Sequence, residues 1–136
     1  MRDRMRKLTL LLTTLIFSVM FSPSTSFAGW TEVGENVSGS TYYVDFERIR
    51  KDDGYVYYWY LGDYLKPNEY GNFSAKVYIQ GDRKKFRYKS LSDSFHKEPM
   101  GRGDSETNNT PDKEWRYPSP DSSIETILKS VCQYAR

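Results

Sequence analysis

Asp93, Ser94 and His96 carry the side-chain types of a hydrolase triad, and His96, Glu98 and Met100 those of a metal or haem ligand set. Neither spacing suits the chemistry. A triad needs nucleophile, base and orienter to converge, and three groups within four positions at a strand end do not readily do so. A metal or haem site needs further ligands at matched spacing, and His96 is the chain's single histidine, placed in a segment that reads as a surface loop. No catalytic, metal or cofactor-binding residue is therefore assigned. The chain reads as a protein that binds rather than an enzyme.

Two groups of residues could do the binding. Lys85, Arg87 and Lys89 alternate with Phe86 and Tyr88, so a strand would set three positive groups on one face, about 7 Å apart. The plainer reading of that alternation is the solvated side of a half-buried strand. Arg102-Gly103-Asp104 is an Arg-Gly-Asp tripeptide in a Gly-rich stretch, the arrangement that integrin-type receptors recognise. Such stretches also acquire charged residues without selection for a ligand. A pre-organised strand loses less entropy on docking than a Gly-hinged loop, so the basic face is the expected site and Arg102 and Asp104 the secondary candidates.

The elements that position these residues follow from pattern. Trp30 to Val33 and Thr41 to Phe46 read as short strands, and Tyr55 to Leu61, aromatic on both faces, as a central one. Phe73, Ala75, Val77 and Ile79 alternate with polar residues, and Gly81-Asp82 reads as a two-residue turn into a strand from Lys84 to about Phe95. His96 to Thr110 is polar and unpatterned and reads as a long loop, with Trp115-Arg116-Tyr117 as a brief edge strand beyond it. Ile124, Ile127, Leu128 and Val131 then make one helical stripe. Ser119 or Ser122 caps it, Pro120 suits its first position, and Ser122-x-x-Glu125 fits a capping box. The fold class is α+β: an antiparallel meander of about five to six strands with one C-terminal amphipathic helix packed on one face.

Residues 1–28 read as a signal peptide, with a basic start at Arg2, Arg4, Arg6 and Lys7 and an apolar run from Leu8 to Phe21. Ser26-Phe27-Ala28 is a small-x-small site that places cleavage before Gly29. Residues 29–136 then form a single domain, exported to the periplasm or the cell surface. Losing the leader removes four of 20 basic and one of 18 acidic residues. The exported domain is thus close to neutral, which argues against a nucleic-acid partner. No second long apolar run provides a transmembrane segment, and no Cys follows the leader to carry a lipid. Cys132 is the single cysteine, so it has no partner within the chain.

Tyr42-Tyr43-Val44-Asp45-Phe46-Glu47-Arg48-Ile49-Arg50, Gly54-Tyr55-Val56-Tyr57-Tyr58-Trp59, Ser92 to Met100, Glu114-Trp115-Arg116-Tyr117-Pro118 and Ile127 to Cys132 together resemble the bacterial surface-adhesin protein E family. The resemblance spans nearly the whole exported chain. It implies an antiparallel sheet with a C-terminal helix on one face, and a non-enzymatic surface protein that binds host extracellular-matrix or serum proteins. Members commonly tie a Cys after the Gly-Asp turn to the Cys at the helix end; here Arg83 holds the first slot and Cys132 is alone. The alternative is a periplasmic structural or envelope-associated protein with no host ligand, since a fold does not dictate a function. A matrix or envelope protein, or a second copy of the chain, are the partners left open.

Overall fold

The structure is a computed structural model that describes residues 26, 27 and 29–136; apart from these, the leader expected over residues 1–28 lies outside the described residues. Among the described residues, eight strands form one antiparallel sheet. They are β1 Ser26–Phe27, β2 Trp30–Glu35, β3 Thr41–Val44, β4 Arg50–Asp52, β5 Tyr55–Asp63, β6 Ser74–Asp82, β7 Arg87–Glu98 and β8 Arg102–Asn108, followed by helix α1, Ser123–Tyr134. The order across the sheet is β1-β2-β3-β5-β6-β7-β8, with β4 also paired to β5.

The aromatic run is central, as its two-faced pattern predicts. Residues 60–63 of β5 pair with β3 and residues 55–57 with β4, while the whole strand pairs with β6. A 3-10 turn at Phe46–Arg48 carries the chain from β3 to β4, and between the two pairings the Asp45 amide donates to the Trp59 carbonyl at 3.3 Å.

Strand alternation divides the sheet into a helix-covered face and an opposite face, which carries a smaller buried cluster of Trp30, Tyr43 and Leu61. Val44, Val56, Tyr58 and Ile79 point to one side and meet Ile127, Leu128, Val131 and Ala135 of the helical segment in a buried cluster. Full burial of such apolar side chains contributes about 1.5–3 kcal/mol each. The helix starts where the capping pattern predicts, but at Ser122 and not Ser119: Ser122 Oγ accepts from the Glu125 amide at 3.2 Å, and the Glu125 carboxylate accepts from the Asp121 amide at 3.3 Å. Pro120 accordingly lies before the helix rather than at its first position.

Gly81 and Asp82 are not the hairpin turn. Both belong to β6, and Arg83 to Phe86 make the turn, with Phe86 at a φ of 49°. Gly81 serves the helix instead, because a Cβ there would stand 2.9 Å from Leu128 Cδ1 and 3.0 Å from Val56 Cγ2. Asp82 organises the turn through its carboxylate, accepting from the amides of Lys84 at 3.1 Å and Lys85 at 3.2 Å.

The stretch read as a long loop is mostly strand. β7 continues through Glu98, Met100 turns the chain at a φ of 59°, and β8 returns along β7 as the sheet's edge. All seven residues of β8 are exposed. An edge strand exposed on both faces has no apolar alternation to betray it; only its backbone pairing with β7 defines it. Trp115-Arg116-Tyr117 is paired as briefly as expected, through one bridge between Arg116 and Tyr88.

Candidate functional site

The sheet face away from the helix is built of aromatic rings and cations. Register places Asp52, Tyr55, Asp82 and Arg87 in one row across β4 to β7, and Arg50, Tyr57, Gln80 and Lys89 in the next. Trp59, Tyr78 and Ser92 follow. Trp59 and Tyr78 have ring centroids 4.9 Å apart, Tyr57 and Tyr78 6.3 Å, and Tyr55 stacks on Trp115 at 5.7 Å.

Cations sit on these rings. Arg50 lies 4.6 Å from the Tyr57 centroid and Arg48 5.9 Å from that of Trp59. Trp115 receives two, Arg87 at 4.4 Å and Lys89 at 4.8 Å. Each such contact is worth about 0.5–1 kcal/mol at an exposed site. Two of the charges are neutralised locally: Asp45 Oδ2 takes Arg48 Nε at 2.5 Å and Asp82 Oδ2 takes Arg87 Nε at 2.8 Å. Burial pushes the Asp82 carboxyl up, but hydrogen bonds from Arg87 and from the amides of Lys85 and Lys84 outweigh it and hold the group below the usual carboxylate range. Arg50 and Lys89 thus present positive charge already seated on ring faces. An acidic partner surface with apolar or planar groups is what this arrangement complements.

The expected basic triplet is only partly one site. Arg87 and Lys89 share a face of β7 and meet on Trp115, whereas Lys85 is exposed in the turn before the strand. Trp115, Arg48 and Arg50 were outside the expected set, since no local spacing relates them to β7. The doubly aromatic run at Tyr55 to Tyr60 was the available signal.

Arg102 and Asp104 lie on β8, in an extended edge strand rather than a loop. Gly103 stands at a φ of +76°, and a Cβ there would run into the Glu98 side chain. The bulge between His96 and Glu98 lies opposite this stretch. Both charged groups are exposed, on a separate edge from the aromatic face.

Ser94 and His96 share a hydrogen bond of 2.8 Å, but alternation turns Asp93 to the opposite face of the sheet. No triad assembles from these residues. His96 is also buried rather than on a surface loop. Burial, then the nearby Lys76 charge, holds its pKa below that of a free histidine. Among the described residues no group of three His, Cys, Asp or Glu side chains could hold a metal ion.

Fold and face together define a small antiparallel sheet with one helix on one side and half-exposed aromatic rings carrying cations on the other. The family profile of surface-adhesin protein E matches residues 30–133, and the chain belongs to that family. Crystal form II of Haemophilus influenzae protein E is similar in structure, with a TM-score of 0.62 and 19% identity over 84% of this chain and 95% of that one. Its selenomethionine form gives a TM-score of 0.59 and 19% identity over 82% and 91% of the two chains. Comparison with curated protein sequences finds no significant match. Among the described residues no helix is long and apolar enough to cross a membrane.

Proposed function

We propose that this chain is an exported, non-enzymatic adhesin that engages an acidic protein surface through the helix-free face of its sheet. The observation that carries the reading is the ladder of Trp115, Tyr55, Tyr57, Tyr78 and Trp59 with Arg50 and Lys89 seated on its rings. Half-exposed rings with cations already stacked on them support recognition, because such groups lose little entropy on docking. Family membership supports a surface location and a protein ligand. A host matrix or serum protein is the ligand class this reading favours.

The test replaces Arg50, Lys85 and Lys89 with Glu and leaves Arg87 in place. Arg87 must stay, because a Glu there would face the buried Asp82 carboxylate and endanger the fold. The triple variant should fold normally by circular dichroism and lose binding to matrix and serum proteins, and Asp104→Ala should bind like the parent. Normal binding by the triple variant with loss in Asp104→Ala would move the site to β8. If protease added to intact cells never reaches the protein, the surface reading gives way to a periplasmic one.

A further inference from the structure

Asp45 follows β3 and is only 6% exposed. One carboxylate oxygen, Oδ2, is held by Arg48. The other, Oδ1, is buried with no hydrogen-bond partner among the described residues. Leaving a buried charged oxygen unpaired is costly, so such an atom calls for a donor.

The place where a donor would fit lies beside Gly29. A Cβ built on Gly29 would stand 3.5 Å from Asp45 Oδ2 and 3.6 Å from Oδ1, with no atom of the described residues outside its chain neighbours nearer than these. On a tetrahedral Cα, the nitrogen and the Cβ position interchange by a rotation of about 120° around the Cα–C bond, at similar bond lengths. A free amino group on Gly29 could therefore enter that space by one torsion, and glycine has no side chain to obstruct it. In the uncut chain the nitrogen is an amide bonded to residue 28, and strand pairing of Phe27 with Trp30 holds it in a hairpin.

We propose that Asp45 is the receptor for a new N-terminus made by cleavage before Gly29. Hydrolysis of the Ala28–Gly29 bond consumes one water and leaves a carboxylate on Ala28 and an ammonium on Gly29. The ammonium turns in to Asp45 Oδ1, completing a three-membered ion cluster with Arg48. Because Arg48 also lies over Trp59 and Trp30 packs in one cluster with Tyr43, Leu61 and Trp59, maturation would fasten the chain's start to the edge of the aromatic face. The inference holds whatever partner that face binds.

The test uses the full chain, exported by a bacterial host and purified after processing. Its first residue is identified by mass, and the pKa of its α-amino group is read from the pH dependence of amine labelling. The first residue should be Gly29. Its amine should titrate about one unit above the ordinary range of roughly 7.7–8.0, so that labelling at neutral pH is about tenfold slower than in Asp45→Asn. A different first residue, or equal titration in parent and Asp45→Asn, would overturn the proposal; a carboxylate hydrated by water alone gives the latter result. Should Asp45→Asn fail to fold, Arg48→Gln decides: loss of the competing cation should raise the amine's pKa further, and no change would count against the pairing.

Discussion

Arg87 and Trp115 meet face to cation, with the guanidinium carbon 4.4 Å from the ring centroid, although 28 positions separate them in the chain. The contact draws the segment after β8 back across β7. Trp115 then joins Tyr55, so one indole links the first residue of β5 to the first residue of β7. Trp115→Ala should remove this link at a cost of about 1–2 kcal/mol, judged from aromatic pairing and lost cation contacts. Urea unfolding monitored by circular dichroism measures it, and an unchanged midpoint would mean the ring is only laid on the surface.

Acid should destabilise the protein by two groups of the same sign. The Asp82 carboxyl is depressed in the folded state, so its contribution is present above the unfolded value of about 3.9 and is lost as pH falls through the folded value. His96, also depressed, binds its proton more readily when unfolded, so stability declines as pH falls below about 6.5. Thermal melts from pH 8 to 3 should fall in two stages. His96→Gln should flatten the upper stage and Asp82→Asn the lower one.

Gly81→Ala should cost about 1–3 kcal/mol, because the new methyl would press on Leu128 Cδ1 and Val56 Cγ2. Overpacking and not backbone strain is the cause, since Gly81 is not at positive φ. Combining it with Leu128→Val should therefore be less damaging than the two changes summed. Strict additivity in denaturation experiments would show that the helix does not approach there.

Cys132 is partly buried, and burial pushes its thiol up while the neighbouring Arg83 charge opposes this. Thiol reagents should label the native protein slowly and the unfolded protein fully. The family resemblance implies a bridge between these two positions, and Arg83 and Cys132 line one surface cavity; Arg83→Cys should therefore bridge to Cys132 and stabilise by about 2–4 kcal/mol. Non-reducing mass analysis would detect the bridge; two free thiols in the variant would show that the geometry does not permit it.

The two-faced aromatic run of β5, the alternation of β6, the apolar stripe of α1 and the Ser122 cap are legible in the sequence because each is local. Period two, period 3.6 and a three-residue capping interval are all satisfied within one element. Three features were decided by tertiary structure alone. β8 exists only because its backbone pairs with β7, so fully exposed residues that read as a loop are ordered. Gly81 resembles a turn residue until Leu128, 47 positions on, claims the space a Cβ would fill. The aromatic and cationic face is assembled from Arg50, Tyr57, Lys89 and Trp115, which no sequence interval relates, because register across four strands and a returning segment brings them together. Local periodicity can say which side of a strand a residue faces; only the closed sheet determines what it meets there.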